Sequence, residues 1–232
     1  MNHRIYKSGS KLRIMAIMAH PDDEVIACGG LLAKAVKNGG KGFAYIMTST
    51  PERKSELEDS CSVLGIEYEA LCLKEKEFGF MSFNEELLLG LEKAIAEFKP
   101  HVVVTHDPQY DYHADHRKTA EVVIPRLQSV AMGSQKDAWT VELLLAAEVN
   151  NMHPQPDVLV NITEVYQIKL DALKKHKSQL SQDFKKDYYV NLVQYKALLR
   201  GHQMGVKFAE AFTSIKQPLV GNFYENTRGP FL

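Results

Sequence analysis

The chain has 232 residues, a formal net charge of −1, and 45% hydrophobic and 25% charged residues, which are ordinary globular values and exclude a disordered or low-complexity chain. This length predicts one domain or one domain with a modest extension, and the lack of a basic excess argues against a nucleic-acid partner. No apolar run approaches the roughly 20 residues that cross a bilayer, so no membrane partner is expected.

The first half of the chain alternates predicted strands and helices after a polar start. Residues 1–12 are expected to form a flexible leader, and residues 13–232 a single domain. The run at 14–18 is continuously apolar, which is typical of a strand buried on both faces. The elements predicted after it are a helix at 31–38 closed by Gly39 and Gly40, a strand at 43–49, a helix at 51–64 capped by Thr50 and ended by Gly65, a weaker strand at 68–73 and a helix at 87–98 with Ser82 and Glu85 at capping-box spacing.

The second half continues the alternation and contains one irregular stretch. The predicted elements are a strand at 101–106, an irregular segment at 107–116, a helix at 117–130 with a bend or break at Pro125, strands at 141–148 and 157–162, and helices at 163–177 and 188–200. The strand at 157–162 is expected to be the last of the core. Strands separated by helices predict an α/β protein, a Rossmann-like three-layer αβα sandwich with a mostly parallel central sheet.

Two polar loops follow predicted strands and contain most of the reactive side chains. They supply His20, Asp22, Asp23 and Glu24 after the first strand, and His113, Asp115 and His116 after the strand at 101–106. Because parallel crossovers are right-handed, both loops should open on the carboxyl edge of the sheet, where ligands bind. Two imidazoles and one carboxylate form a common catalytic Zn²⁺ set, and the remaining groups suit general acid–base catalysis in a hydrolase.

Two simpler interpretations compete with a metal site. The acidic run at 22–24 could cap the following helix, and His113 and His116 could be a solvated pair at a helix start. A dinucleotide fold is suggested by Gly29 and Gly30, but the G-x-G-x-x-G motif is missing and the aspartates would repel a pyrophosphate. The coincidence of two acid- and histidine-rich loops on one edge favours the metal site.

The motifs AHPDDE at 19–24 and H-x-D-H at 113–116 resemble the PIG-L/LmbE-like zinc-dependent N-acetylglucosamine deacetylase family. Segments at 53–65, 100–104, 161–179 and 200–212 are similar to further motifs of the family, so the resemblance covers about residues 12–213. The chain departs from the family at Asn161, where aspartate is frequent, and at 48–52, where the loop is shorter than in relatives.

Carried over residue by residue, the resemblance implies that His20, Asp23 and His116 bind Zn²⁺, or Fe²⁺, which also suits such a site. It implies that Asp22 is the general base for a zinc-bound water, that His113 is the acid or oxyanion stabiliser, and that Asp115 orients His113. The nearby Asp115 carboxylate is also expected to raise the pKa of His113. Residues expected to contact substrate are Arg53, Tyr110, Tyr112 and His176. The implied reaction is hydrolysis of a linear amide bond, removing acetate from an N-acetylglucosamine-type small glycoside.

Alternative functions remain open at this level. The chain could be a metallo-amidase acting on another N-acylated small molecule, or a non-catalytic sugar-binding module. Three cysteines without metal-finger spacing predict reduced thiols and a cytoplasmic protein. The sequence is compatible with a homo-oligomer and does not decide the oligomeric state.

Overall fold

The computed structural model describes residues 11–71, 85–133, 138–180 and 187–216. The strands found within these residues are β1 (Arg13–Met18), β2 (Lys41–Ile46), β3 (Glu67–Ala70), β4 (Val102–His106), β5 (Leu143–Ala147), β6 (Val158–Asn161) and β7 (Ala209–Ser214). The helices are α1 (Asp23–Lys37), α2 (Pro51–Leu64), α3 (Glu85–Phe98), α4 (Ala114–Ala131), α5 (Tyr166–Leu173), α6 (Lys177–Leu180) and α7 (Tyr188–Met204). None of these helices is long and apolar enough to cross a membrane.

All the described strands belong to one sheet with the order β3-β2-β1-β4-β5-β7-β6. The first five strands pair in parallel, as β3 with β2, β2 with β1, β1 with β4 and β4 with β5. Strand β7 runs antiparallel to both β5 and β6. The chain leaves β1 toward β2 on one side, whereas β4 lies on the other side of β1. This reversal of strand order is the switch point where open α/β sheets bind ligands, at the carboxyl ends of the strands.

The predicted α/β class with a mostly parallel sheet is confirmed, but the prediction of the last core strand is wrong. Strand β7 follows β6 in the chain and is inserted between β5 and β6. Its sequence, AEAFTS, contains alanine and glutamate, which have low strand propensity, so local pattern did not indicate a strand. Pairing on both sides with β5 and β6 overrides that low propensity.

The observed boundaries of the helices agree with the predicted ones or differ from them by a few residues. Helix α2 has Thr50 as its N-cap, Pro51 at its first position and Gly65 in the left-handed conformation at its end, as predicted. Helix α4 begins three residues earlier than predicted, at Ala114, and continues through Pro125 without the expected break. Residues 1–10 of the predicted leader at 1–12 and the capping-box residue Ser82 lie outside the described residues.

The side chains of the central strands are buried in two layers. On one face, β1 residues such as Ile14 and Met18 pack against α1, α2, α5 and α7. On the other face, β1 residues such as Met15 and Ile17 pack against α3 and α4. Covering both faces explains why these strands are continuously apolar, and it leaves the sheet edges as the places for polar chemistry.

Helix α1 is interrupted near its middle, and a buried ion pair forms hydrogen bonds with backbone groups on both sides of the interruption. Cys28 has non-helical dihedral angles, φ −144° and ψ 20°. The N–H groups of Gly30 and Leu31 donate to the Glu210 carboxylate at 2.8 and 2.7 Å. Lys169 donates to Glu210 at 2.6 Å and to the Ile26 carbonyl oxygen at 2.9 Å. The pair therefore satisfies backbone groups on both sides of the break and fixes the angle of the first half of α1.

Candidate metal centre and active site

The two predicted loops lie side by side at the switch point of the sheet. The loop after β1 leads into α1 through residues 19–22, and the loop after β4 leads into α4 through residues 107–113. The Ala19 N–H donates to His106 Nε2 at 2.9 Å, so the ends of β1 and β4 are joined directly. His106 is fully buried, and burial lowers its pKa to about 4, which keeps it neutral.

Three buried donor atoms from these loops face a common point. His20 Nδ1 lies 3.2 Å from Asp23 Oδ2, and His116 Nε2 lies 3.3 Å from the same oxygen. His20 Nδ1 and His116 Nε2 lie 3.3 Å apart, although the residues are 96 positions apart in the chain. Ligands about 2.0–2.1 Å from a tetrahedral Zn²⁺ are about 3.3 Å from one another. The spacing of the three donors therefore fits a divalent cation.

The other ring nitrogen of each histidine contacts a second carboxylate. His20 Nε2 lies 3.3 Å from Asp115 Oδ2, and His116 Nδ1 lies 2.8 Å from Asp111 Oδ2. If those nitrogens carry the protons, His20 Nδ1 and His116 Nε2 are left with free lone pairs. Metal-binding histidines in proteins are oriented by carboxylates in this way. This is a second respect in which the residues fit a metal ion.

The electrostatics of the cluster favour a positive charge inside it. Burial opposes charge on His116, but the Asp23 and Asp111 carboxylates outweigh burial and raise its pKa to about 10. The pKa of His20 is also raised, because Asp115 and Asp23 outweigh the effect of burial. His116 and His106 hold the pKa of Asp23 well below its usual range despite burial. Metal binding would release the imidazole protons and supply the positive charge in their place.

Asp22 lies beside this cluster and faces a different partner from Asp23. Its Oδ1 accepts a hydrogen bond from the Arg53 guanidinium at 3.1 Å, and Arg53 also donates to the Pro21 carbonyl oxygen. Burial raises the pKa of Asp22 to about 6, while Arg53 opposes that shift. A buried carboxylate with a pKa close to neutrality suits a general base.

His113 is half-exposed at the mouth of the cluster, where its ring stacks on His116 with centroids 4.5 Å apart. It is the N-cap of α4, and its Nδ1 accepts the Asp115 N–H at 3.3 Å. That bond selects the neutral form with the proton on Nε2. Asp115 does act to raise the pKa of His113, but burial and the imidazoles of His116 and His20 outweigh it, so the pKa is lowered overall. His113 can therefore donate a hydrogen bond as a neutral imidazole.

The structure places the remaining predicted residues as follows. The carboxylate of Asp115 lies closer to His20, at 3.3 Å, than to His113, at 3.8 Å. Tyr110 and Tyr112 are 48% and 64% exposed on the loop before α4, and their rings are accessible to a ligand. His176 is fully buried and its Nε2 lies 3.2 Å from Glu24, which places it behind the site.

Sequence reasoning assigned no role to several residues that support the cluster. Asp111 lies within the polar loop whose histidines were singled out, so its carboxylate could have been considered as a histidine partner. Asn150, just beyond β5, donates to Asp111 at 3.2 Å. Asn150 gives no local signal, because its role depends on β5 lying next to β4. Glu24 was grouped with the loop but had no role, which the structure now provides through its contacts with the Asp22 backbone and His176.

Comparison with known proteins shows similarity to one family over about half of the chain. Residues 15–127 match the PIG-L family model, described as GlcNAc-PI de-N-acetylase, and this range includes both polar loops. A Bacillus cereus protein named "Probable N-acetyl-alpha-D-glucosaminyl L-malate deacetylase 2" is 29% identical over 187 residues, covering 72% of this chain and 83% of the relative.

Solved structures share the fold. N,N'-diacetylchitobiose deacetylase from Pyrococcus horikoshii superposes with a TM-score of 0.74 at 22% identity, over 88% of this chain and 83% of that chain. GalB, the 4-carboxy-2-hydroxymuconate hydratase from Pseudomonas putida, gives 0.75 at 17% identity, over 91% and 99%. Because proteins named for different reactions share this fold, the reaction has to be argued from the side chains of the site.

Proposed function

We propose that the protein is a metal-dependent N-deacetylase of N-acetylglucosamine-type small glycosides, and that it belongs to the PIG-L family, whose model matches residues 15–127. The observation that carries the proposal is the triad of buried donor atoms from His20, Asp23 and His116, mutually 3.2–3.3 Å apart. The adjacent base and hydrogen-bond donor, Asp22 and His113, complete the requirements of amide hydrolysis.

His20, Asp23 and His116 would hold the cation, which we propose to be Zn²⁺, with Fe²⁺ as the alternative for a His₂-carboxylate set. When bound, the cation supplies Lewis-acid polarisation of the amide carbonyl group and lowers the pKa of a water molecule. Asp111 and Asp115 would orient the two histidines through their second ring nitrogens. Their carboxylates also make the histidines stronger ligands.

Asp22 would act as the general base. Its buried carboxylate takes the proton of the water as the oxygen attacks the amide carbonyl carbon. Arg53 holds Oδ1 of Asp22 at 3.1 Å, which leaves Oδ2 as the oxygen for proton transfer. The proton is then transferred to the amine as the C–N bond breaks, so that acetate and a free amino sugar leave the site.

His113 would stabilise the negative charge that develops on the carbonyl oxygen. Its Nδ1 accepts the Asp115 N–H, so the Nε2–H is the group available for donation. A donor that is already in position when charge develops contributes on the order of 10²–10³ to the rate of acyl transfer. We therefore assign His113 the role of oxyanion donor.

The substrate class follows from the relatives and from the exposed tyrosines. The Bacillus cereus relative is named for an N-acetylglucosaminyl compound, and the matched family model is described by the same sugar. Tyr110 and Tyr112 are exposed on the loop that also carries Asp111 and His113, and their rings could stack on a pyranose ring. We propose that these two tyrosines, and not the buried His176, contact the sugar, and that Arg53 contributes through Asp22.

The proposal extends to residues 13–232 as a single LmbE-like domain, with residues 1–12 as a leader, in the cytoplasm. Strand β7 joins the same sheet as β1, which supports one domain through residue 214. Cys28 and Cys61 are both free thiols, as expected in a reducing compartment.

Acetate release from a panel of N-acetylglucosaminides, measured with and without a metal chelator, tests this function. Turnover that is lost with chelator and restored by Zn²⁺ is the expected result. Turnover that is insensitive to the chelator would exclude the metal mechanism. Chelator-sensitive release only from acylated compounds that are not sugars would indicate a different metallo-amidase, and sugar binding without turnover would indicate a binding module.

A further inference from the structure

The backbone of Asp22 adopts a conformation that is unusual for a residue with a side chain. Its φ is 105° and its ψ is −29°, and within the described residues the only other non-glycine residue with positive φ is Lys99. Such a conformation is unfavourable for L-residues and persists only where neighbouring groups impose it. The turn lies between His20 and Asp23 and points the adjacent carboxylates at different partners, Arg53 and the imidazoles.

We infer that Glu24 is the positioning residue that imposes this turn and so sets the place of the base. The Glu24 Oε2 atom accepts the Asp22 N–H at 2.9 Å, which is a charge-assisted hydrogen bond two residues back along the chain. Glu24 is fully buried and has no surface from which to contact substrate. The inference rests on the proposed function, because it requires Asp22 to act as the base.

The Glu24 carboxylate is itself held from two other parts of the chain. Its Oε1 lies 3.2 Å from the Ser60 hydroxyl of α2 and 3.2 Å from His176 Nε2, which follows α5. Ser60 and His176 are both fully buried. Both oxygens of Glu24 are therefore engaged, and the carboxylate cannot turn away without losing contacts that lie 36 and 152 positions away in the chain.

This arrangement gives His176 a role that does not require contact with substrate. It supports Glu24, Glu24 supports the Asp22 backbone, and the backbone directs the Asp22 carboxylate. An error of about 1 Å in the place of a reacting group can reduce the rate on the order of 10²-fold. Loss of the Glu24 contact should therefore reduce kcat even at saturating cation, because it displaces the base, whereas the ligand side chains make no contact with Oε2.

Two substitutions at Glu24 test whether its effect comes from accepting the Asp22 N–H or from its negative charge. A control variant tests whether a loss of protein stability explains the result. Glu24→Gln retains an oxygen that accepts the Asp22 N–H, whereas Glu24→Met has nearly the same length and no acceptor. The matched control is Glu56→Met, because Glu56 lies in α2 and its carboxylate binds the Ser178 N–H and hydroxyl group instead. Each variant is measured for kcat and KM on the best N-acetylglucosaminide, for metal content, and by a crystal structure that gives φ of Asp22.

The expected result for Glu24→Met, measured at saturating cation, is a fall in kcat on the order of 10²-fold, with KM close to wild type and with a changed φ at Asp22. Glu24→Gln should keep the positive φ of Asp22 and most of the wild-type kcat. The control Glu56→Met should keep the wild-type φ and kcat. Equal losses in the Gln and Met variants, or a Met variant with unchanged φ or kcat, would overturn the inference.

If Glu24→Met does not fold, Ser60→Ala provides the second test, since it removes one support of Glu24 with a small change in volume. It should lower kcat by less than Glu24→Met would, without loss of metal, and unchanged kcat and φ in this variant would contradict the inference. Failure of the proposed function is distinguishable, because the wild-type protein would then release no acetate.

Discussion

Adjacent aspartates are suited to different tasks here because of backbone geometry. Asp22 and Asp23 have the same side chain, yet burial raises the pKa of Asp22 to about 6 and the imidazoles hold the pKa of Asp23 well below its usual range. One carboxylate is therefore suited to accept a proton and the other to bind a cation. The left-handed turn at Asp22 is what allows neighbouring residues to reach such different surroundings.

Replacement of Asp22 by asparagine tests its role as base. Asn keeps the size of the side chain but cannot take a proton, so kcat should fall on the order of 10²–10⁴-fold, whereas the metal content should not change. Acetate release and metal analysis on the same sample provide the measurement. Asp171→Asn, on α5 away from the cluster, is the control, and normal turnover in Asp22→Asn would remove Asp22 as base.

Asp111 offers a separate test of the metal centre. It contacts Nδ1 of His116 at 2.8 Å and should orient this ligand without touching the cation. Asp111→Asn should weaken metal affinity by about 10- to 100-fold, measured by competition with a chromophoric chelator, while kcat at saturating metal changes less. The control is Asp157→Asn, whose carboxylate accepts the Ser214 N–H at the far end of β7. An unchanged affinity would mean that Asp111 does not support the ligand.

At the scale of elements, the starts of α1 and α4 carry side chains of the candidate site. Asp23 and Glu24 lie in the first turn of α1, and His113 caps α4 through the Asp115 N–H. The acidic run therefore does occupy a helix start, but the Asp22 side chain makes no cap hydrogen bond, and His116 is buried, so the alternative of a solvated histidine pair is wrong. A helix start holds side chains in fixed directions, which is what a catalytic cluster requires.

The buried ion pair at the break in α1 should contribute to the free energy of unfolding. Lys169 and Glu210 form a buried pair at 2.6 Å that also satisfies backbone groups of α1, with both side chains 4% exposed. Glu210→Ala leaves a buried charge and free N–H groups, and should reduce the free energy of unfolding by about 3–5 kcal/mol. Urea denaturation measures this change.

The chain contains a matched control for that experiment. Lys37 and Glu164 form a pair with the same 2.6 Å separation, but their side chains are 47% and 55% exposed. Because water screens an exposed pair, Glu164→Ala should leave the urea midpoint close to wild type. If both variants lose equal stability, burial is not the reason why the Lys169–Glu210 pair matters.

At the scale of the whole molecule, the site joins segments that the sheet brings together. His20 and His116 belong to loops that are 96 positions apart, and they meet because β1 and β4 are neighbours in the sheet. A cation bound to both loops therefore binds the folded state and not the unfolded chain, whose ligands are far apart. Its binding free energy adds to the stability of the fold.

Removal of the metal should consequently lower the melting temperature. A cation present at 100 times its Kd stabilises the folded state by about 2.7 kcal/mol, which corresponds to roughly 5–10 °C for a chain of this size. Thermal unfolding with Zn²⁺ and with chelator gives the shift. In His116→Ala the shift should be small, and an equal Tm with and without chelator in the wild-type protein would contradict a stoichiometric metal site.

The amino-acid sequence alone was sufficient to predict the alternation of strands and helices, the α/β class and the side chains of the candidate site. These features depend on local information, because an apolar run such as 14–18 or a cap such as Thr50-Pro51 is read from neighbouring residues. The identities of His20, Asp23 and His116 follow from two short motifs, and the structure places their donor atoms together.

Tertiary structure alone decided which groups support that site. The insertion of β7 between β5 and β6, the contact of Asp115 with His20, and the contact of Glu24 with His176 join residues that are distant in the chain. The physical reason is that a buried polar group must find a partner wherever packing brings one, and that partner leaves no periodic signal in the sequence. The left-handed turn at Asp22 has the same origin, because its N–H is satisfied by a carboxylate that α2 and the segment after α5 hold in place.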